Sequence, residues 1–192
     1  MKRRLLVAGL VLVGGLLLTL SPAVAQEKKF EVGAGIQYNL FNAQIASDPS
    51  PGWHARFDWY FKPRWAVGLY YESTSGSDNL LNQGGFDLTL NFYGVRGTWL
   101  LGDTPAFQML LFAGLGTGNM NYENPKINSG VPDSTDIQYW YDFGAGVQFA
   151  AGQRWRFRID IAFRRFTPDG SNLLASSGAA ILVPAVEAAF RF

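Results

Sequence analysis

Apolar and polar residues alternate along most of this chain, and the alternation is clearest over residues 155–164. Every odd position there is apolar, and four of the five even positions are charged. A period of two puts successive side chains on opposite faces of an extended strand, whereas a helix would repeat its apolar positions every three to four residues or so. The segment therefore predicts a β-strand with one apolar face and one charged face.

Eight such segments follow one another, and the chain is predicted to be all-β. The predicted strands span residues 30–41, 53–61, 65–72, 86–100, 107–118, 137–149, 155–164 and about 177–192. Short turns at 62–64, 101–106 and 150–154 alternate with longer segments rich in Gly, Pro, Asn, Asp and Ser. Short turns on one side and long loops on the other are typical of an eight-stranded antiparallel up-and-down transmembrane β-barrel.

Two irregularities are expected in this pattern. In the fourth segment Leu90 and Phe92 have one phase, while Val95 and Trp99 have the other. A β-bulge at Gly94 would explain the change, because a bulge shifts the register by one residue. Pro184, in the last segment, has no N–H and predicts a gap in the hydrogen bonding of that strand.

The apolar faces carry large aromatic side chains, while the polar faces carry glycine, alanine and charged residues. The aromatic set is Trp53, Trp59, Trp65, Tyr71, Phe86, Tyr139, Phe149, Trp155, Phe190 and Phe192. In a soluble β-sandwich the apolar faces would pack against each other, but aromatics near strand ends suit the two membrane interfaces. Turning segment seven over would place Arg156, Arg158 and Arg164 in hydrocarbon, at up to about 2–4 kcal/mol each. The apolar faces are therefore predicted to contact lipid.

The polar faces then place charged residues inside the predicted barrel. The expected lumen residues are Glu31, Arg56, Asp58, Glu72, Asp87, Asp142, Arg156, Arg158, Asp160, Arg164, Glu187 and Arg191. Charges removed from bulk water must pair, and eight strands leave an interior just wide enough for side chains. We therefore expect a salt-bridge network that largely plugs the lumen, with Arg156 and Arg158 beside Asp142 and Glu187. The alternative is a narrow ion path gated by exchange of partners.

The first 25 residues differ from the rest. Three basic residues precede an apolar run over 5–20, and Ala-Val-Ala at 23–25 has the small-residue pattern of a cleavage site. We expect a cleaved signal peptide over 1–25 and a barrel over 26–192. Cleavage would leave 13 basic groups against 15 acidic ones, which provides no electrostatic footprint for nucleic acid. Because the chain has no cysteine, hydrogen bonding and packing alone must close the structure.

Together these features resemble the small eight-stranded outer-membrane barrels of the OmpA-like and OmpX-like group. The resemblance implies a monomer in the outer membrane of a Gram-negative bacterium, in contact with outer-membrane lipids and lipopolysaccharide-type glycolipid. Phe190 and Phe192 resemble the signal by which the barrel-assembly machinery recognises its substrates, although Glu187 stands where that pattern usually has glycine. A structural, envelope-integrity or surface-interaction role is expected, with any extracellular ligand reached through the long loops.

Two other functions compete with this role. A lipid A-modifying enzyme would need a serine activated by histidine. His54 is the single histidine, and Ser75, Ser77 and Asp78 follow in the next predicted loop. A channel for small hydrophobic molecules, as in OmpW-like barrels, would be lined by inward apolar residues of strands five and eight. Loop serines and packed apolar side chains are both common, so neither function is favoured, and we predict no catalytic, cofactor or metal site.

Overall fold

The computed structural model describes residues 29–41, 50–78, 86–102, 104, 106–123, 134–168 and 179–192. The predicted signal peptide over 1–25 lies outside these residues, as do the central parts of the four long connections. No helix in the described ranges is long and apolar enough to cross a bilayer.

Eight strands make up the described fold. They are β1 (Phe30–Phe41), β2 (Ser50–Lys62), β3 (Trp65–Asp78), β4 (Phe86–Leu101), β5 (Phe107–Glu123), β6 (Ser134–Ala151), β7 (Trp155–Pro168) and β8 (Ala179–Arg191). Each strand pairs antiparallel with the next, and β8 pairs with β1, so the sheet is a closed barrel. The predicted all-β, eight-stranded up-and-down barrel is confirmed. We call the end with the short turns and the described chain ends the turn end, and the opposite end the loop end.

The seam between β1 and β8 closes the ring at the turn end. The Phe30 N–H donates to the Phe192 carbonyl at 3.0 Å, and the Phe192 N–H donates to the Phe30 carbonyl at 2.8 Å. Farther along the seam, the residue pairs pass from Gln37–Ala185 directly to Leu40–Leu182. The pairing lapses beside Pro184, as expected of a residue that has no N–H to donate.

The apolar faces of the strands point outward. Ile36 and Leu69 are 67% and 65% exposed, whereas Glu72 and Arg164 are fully buried inside the ring. Aromatic residues flank this apolar belt at both edges. Those at the turn end are Phe30, Trp59, Trp65, Trp99, Phe107, Phe149 and Trp155, and those at the loop end are Tyr38, Trp53, Tyr71, Tyr93, Tyr139 and Tyr141.

The height of this belt suits a membrane. On β7 the outward residues from Trp155 to Phe163 are all apolar. Eight steps of about 3.3 Å cover about 26 Å along the strand, and a tilt of roughly 40° reduces this to about 20 Å. That is close to the apolar band of about 25 Å found on outer-membrane barrels.

Several strands extend farther toward the loop end than their alternation predicted. β3 runs to Asp78 and β5 to Glu123, although the predicted strands ended at residues 72 and 118. The outward positions beyond the belt are polar, and they hydrogen-bond across strands, with Asn91 Nδ2 donating to Asn119 Oδ1 at 2.8 Å. Where both faces of a strand are polar, the sequence shows no alternation to detect.

The bulge predicted at Gly94 is wrong. Gly94 pairs with Tyr70 on one side and Gly116 on the other, within two unbroken registers. Leu90 and Phe92 therefore point inward and are buried, although the fourth segment was interpreted with these residues on its outward face. The error has a physical cause: the part of the lumen around Leu90 and Phe92 is filled by apolar side chains, so these inward positions are not polar.

A register shift occurs instead near the start of β6, at Gln138. The β6–β7 pairs pass from Ile137–Pro168 to Tyr139–Thr167, and a matching shift lies opposite on β5 between Gly116 and Gly118. Ile137 is consequently buried and Gln138 exposed. The sequence had predicted the reverse for both residues.

Trp140 fills the loop half of the lumen and lies against a floor of three inward glycines. A Cβ added at Gly94, Gly114 or Gly116 would lie 2.8, 3.1 or 2.9 Å from an atom of the Trp140 indole. The indole Nε1 donates to the Thr117 carbonyl at 2.9 Å. The glycines thus allow the largest side chain to fit within a narrow ring.

Gly116→Ala is expected to lower the free energy of unfolding by about 1–3 kcal/mol, because the added methyl group overpacks the space under Trp140. Gly97→Ala is the matched control, since Gly97 faces outward and the nearest atom to its added Cβ is the Ala113 carbonyl oxygen at 3.9 Å. Urea unfolding of the refolded protein in lipid vesicles measures both. Equal stability of the two variants would show that the glycine floor is not tightly packed.

Candidate functional site: the charged lumen

The described lumen contains charged residues in equal numbers of each sign. The arginines are Arg56, Arg96, Arg156, Arg158, Arg164 and Arg191, and the carboxylates are Glu31, Asp58, Glu72, Asp142, Asp160 and Glu187. Their side chains are almost entirely buried, because each occupies the inward phase of its strand. Net neutrality matters, since an unpaired charge inside a barrel would lose its hydration without compensation.

Five of these residues form the turn-half cluster: Glu31, Arg56, Asp58, Glu187 and Arg191. Arg56 is at the centre, with Nη2 2.6 Å from Glu31 Oε1 and 2.6 Å from Glu187 Oε1. Its Nε donates to Glu187 Oε2 at 2.8 Å, and its Nη1 contacts Asp58. Arg191 donates from Nε to Glu31 Oε2 at 2.8 Å. Three strands, β1, β2 and β8, are therefore joined across the seam by one ion network.

The other half of the barrel contains the loop-half cluster, which comprises Glu72, Arg96, Asp142 and Arg164. Arg164 reaches Glu72 at 2.5 Å and Asp142 at 3.1 Å, and Arg96 reaches the same Asp142 oxygen at 2.5 Å. Two cations and two anions therefore connect β3, β4, β6 and β7.

Aromatic rings enclose the loop-half cluster. The Arg96 guanidinium carbon lies 3.8 Å from the centre of the Tyr70 ring and 4.5 Å from that of Phe112. The Arg164 guanidinium lies 4.6 Å from the Phe92 ring centre. Ring faces attract cations, and more strongly where water is excluded. The cluster is thus continuous with the apolar packing around Trp140.

His54 links the two clusters. Its Nε2 lies 3.1 Å from Glu187 Oε2, and its Nδ1 lies 3.1 Å from Gln37 Oε1. The His54 ring stacks on Tyr70 with centroids 5.8 Å apart, and the Tyr70 hydroxyl donates to Glu72 at 2.7 Å. A continuous line of contacts therefore runs from Arg56 to Arg164, and all of them are polar except the ring stack of His54 on Tyr70.

The structure places some predicted lumen residues differently from the expectation. Arg158 is opposite Glu187 in the β7–β8 register, but its one ion pair among the described residues is with Asp160, at 3.8 Å. Arg156 makes no ion pair there and instead donates to the Trp155 carbonyl at 2.9 Å. Neither arginine meets Asp142, because that carboxylate is in register with Arg164.

Two further placements concern β4. The backbone of Asp87 is in register with Ser77 and Glu123, and its side chain lies outside the described part of the molecule. Arg96 was missing from the predicted set, because the phase of the fourth segment was unclear beyond Gly94. Had the alternation around the outward residues Val95 and Trp99 been followed, Arg96 would have fallen on the inward face.

The geometry around His54 bears on the lipid A-modifying alternative. Both ring nitrogens already have side-chain oxygen partners, so neither is left to accept a proton from a serine. Ser75 is exposed and its hydroxyl lies 3.3 Å from that of Thr89, while the side chains of Ser77 and Asp78 lie outside the described residues. No serine hydroxyl contacts His54 in the described part of the chain. Within those ranges there is likewise no group of His, Cys, Asp and Glu that could hold a metal.

Phe190 and Phe192, the predicted assembly signal, lie at the turn end of the seam. Phe190 packs on Trp155 with ring centroids 5.3 Å apart, and Phe192 stacks on Phe30 at 6.1 Å. Both rings are half-buried. The last strand is thereby fixed to both of its neighbours at the membrane interface.

Comparison with known proteins places this geometry in context. The sequence profile of a family described as "Outer membrane protein beta-barrel domain" matches residues 10–179, whereas no curated protein sequence matches the chain.

Solved structures share the fold at low identity. Neisserial surface protein A is similar with a TM-score of 0.64 and 10% identity, over 85% of this chain and 97% of that one. The Yersinia pestis attachment invasion locus protein Ail, in complex with the heparin analogue sucrose octasulfate, gives 0.52 and 14%, over 85% and 97%. Escherichia coli outer membrane protein W gives 0.52 and 13%, over 88% and 100%. The resemblance to small outer-membrane barrels is confirmed, and at these identities the likeness concerns the fold alone.

Glu187→Gln is expected to lower the free energy of unfolding by about 1.5–3 kcal/mol, because it removes one of the three carboxylates around Arg56 and with it the charge-assisted hydrogen bonds that Arg56 donates to Glu187. The control is Asp136→Asn, which removes one negative charge from an exposed position at the loop end. Urea unfolding monitored by tryptophan fluorescence measures both variants.

A double variant isolates the ion pair itself. Arg56→Met combined with Glu187→Met should lose clearly less stability than the sum of the two single changes, since each single change already removes the Arg56–Glu187 interaction and the double variant loses it only once. If the losses are additive, or if Glu187→Gln behaves like Asp136→Asn, the turn-half cluster does not contribute as described.

Proposed function

Because the chain belongs to the outer membrane protein beta-barrel domain family, we propose that it is an outer-membrane barrel whose lumen is closed and whose role is structural or lies at the membrane surface. The observation that carries this proposal is the filling of the barrel at two levels. The turn-half cluster occupies one level, and the loop-half cluster with its aromatic rings occupies the other. A solute would have to displace both.

The energetic cost of displacement supports a closed lumen. Arg56, Arg164, Glu72 and Glu187 are buried and paired, and breaking one such pair costs about 3–5 kcal/mol. Opening a path along the whole barrel would require pairs in both halves to exchange together, as well as movement of Trp140. The filled interior therefore opposes a large conductance, and any path for ions through it would be narrow.

A role at the membrane surface is supported by the two surfaces that remain accessible when the lumen is closed, the outward belt and the loop end. The outward belt meets outer-membrane lipids and, in the outer leaflet, lipopolysaccharide-type glycolipid, while the strands joined by the four long connections end at the loop end. Extracellular ligands would be met there, and recognition by the barrel-assembly machinery would use β8 with Phe190 and Phe192. Neisserial surface protein A and Ail share this architecture, which suits presentation of loops on a rigid support.

One observation favours a second function, the passage of small apolar molecules. Beyond the loop-half cluster, toward the loop end, the lumen is lined by apolar side chains, namely Leu90, Ile137, Phe166, Ile181 and Val183. Such a lining is compatible with an apolar ligand entering from the loop end. It is also what close packing requires, and these residues are almost fully buried by one another.

Planar-bilayer recording tests the closed lumen. The wild-type protein is expected to give no stable steps of porin size, as judged against a general porin measured in parallel. Arg56→Ala with Glu187→Ala opens only the turn half, and Phe92→Ala with Trp140→Ala opens only the loop half, so each pair alone should remain closed. The four changes combined should give small, stable steps. Porin-size conductance of the wild type would refute the proposal.

Apolar-molecule passage has its own test. If it occurs, vesicles containing the wild-type protein should take up a small apolar dye faster than empty vesicles, and enlarging Ala162 to Leu should abolish the difference. Ala162 is buried in the loop-half packing. Uptake that is identical with and without the protein would exclude this second function.

A further inference from the structure

A cavity of about 340 Å³ opens at the turn end of the barrel, where the chain surrounds it with positive charge. Its lining includes Lys29, Lys62, Arg156 and Arg191, together with Tyr60 and Gln153. No Asp or Glu belongs to this lining. A volume of this size lies within the usual range for small-ligand sites, about 300–1,000 Å³.

The four cations are supplied by separate parts of the fold. Lys29 precedes β1, Lys62 ends β2, Arg156 is near the start of β7, and Arg191 ends β8. Only Arg191 has an acidic partner among the described residues, and that partner, Glu31, is shared with Arg56. The pocket therefore concentrates positive charge that the carboxylates of the lumen do not neutralise.

Arg156 is the most informative member of this set. It is only 7% exposed, yet no carboxylate of the described residues pairs with it, and its Nε has no hydrogen-bond partner there. Its Nη1 donates only to backbone carbonyls, those of Gly152 and Trp155. Burying a guanidinium without an anion costs free energy. Arg156 differs in this respect from every other buried arginine of the lumen, since each of the others lies within 4 Å of a carboxylate.

From these observations we infer that the turn-end pocket binds a phosphate group. A phosphate offers several acceptor oxygens and at least one negative charge, and it matches a guanidinium that has free donors beside flexible ammonium groups. Arg156 would contribute Nε from the base of the pocket, and Lys29 and Lys62 would close over the anion from the rim. This inference concerns the turn end alone and does not depend on whether the lumen conducts.

The position of the pocket allows two sources of that phosphate. Phe61 and Pro63 also line it, and Phe61 is exposed on the outward face, next to Trp59 with ring centroids 6.0 Å apart. The rim of the pocket therefore adjoins the apolar belt, so a phospholipid headgroup can reach it over the barrel wall. A soluble phosphate ester can enter from the aqueous side.

The test uses the full barrel refolded in an uncharged detergent, with the arginine Nε–Hε signals followed by NMR. One titration adds soluble sn-glycerol phosphate, and the other adds phosphatidylglycerol to the micelle. The Arg156 signal is expected to shift and saturate in at least one titration, and binding should weaken as salt is raised. Arg156→Gln or Lys62→Gln should weaken binding about tenfold, the change expected from losing one charge-assisted hydrogen bond.

Arg154→Gln is the matched control. Arg154 lies on the same turn, but it is outside the pocket lining and its guanidinium faces the Phe190 ring at 5.8 Å. Lys62 is exposed, so Lys62→Gln remains informative even where Arg156→Gln fails to fold. Saturation by glycerol phosphate assigns a soluble ester, and saturation by phosphatidylglycerol alone assigns the lipid headgroup. No saturable shift with either, or equal weakening by Arg154→Gln, overturns the inference.

Discussion

The constraint on which the rest of this structure depends is that a backbone in hydrocarbon must satisfy all of its own hydrogen bonds. No water is available there to pair with an exposed sheet edge. The eight strands meet this constraint by closing on themselves, and the reciprocal bonds between Phe30 and Phe192 show where the ring is completed. Closure in turn divides every strand into a face toward lipid and a face toward a narrow interior. The outward belt and the buried charges are two consequences of that single division.

The interior solves a second problem, which is how to bury twelve charges without water. The turn-half cluster gathers three carboxylates around Arg56 with Arg191 nearby, while the loop-half cluster balances two arginines against two carboxylates inside a cage of rings. These ion pairs join strands that are distant in sequence, since Arg56 and Glu187 are 131 residues apart. They therefore fix which strands face one another across the lumen. Arg156, alone among the buried arginines, remains outside this balance and lies where the barrel meets solvent.

Much of the fold could be predicted because successive residues of a pleated strand face opposite sides of the sheet. An alternation of apolar and polar residues therefore shows directly which side chains face lipid and which face the lumen. Segment seven showed this most clearly, and β7 begins at Trp155 as predicted. The prediction of inward and outward faces failed where the inward-facing residues are apolar. Leu90 and Phe92 are apolar and inward, so their phase was inverted and a bulge was assigned to Gly94. It failed again at Gln138. A single extra residue in a strand cannot be detected from the sequence when the residues on both sides of it can occupy either the inward or the outward face.

The site was harder to predict than the fold, for a different reason. The sequence indicates which side chains point inward, but ion pairing depends on how far neighbouring strands are staggered. Arg164 rather than Arg158 lies opposite Asp142 because the turn at residues 152–154 sets a register that continues unbroken from the Ala151–Trp155 pair to the Asp142–Arg164 pair. The cationic pocket at the turn end combines residues from four parts of the chain, and no spacing in the sequence brings Lys29, Lys62 and Arg156 together.

The most direct test of this account measures which tryptophans touch lipid. The chain has six: Trp53, Trp59, Trp65, Trp99 and Trp155 are exposed on the outward face, and Trp140 is buried inside. Variants that each retain one tryptophan, reconstituted in vesicles with brominated acyl chains, should show strong fluorescence quenching for the five outward residues and almost none for Trp140. Quenching of Trp140 to the same extent as Trp59, or protection of the outward residues from the brominated chains, would contradict the assignment of inside and outside on which the whole account rests.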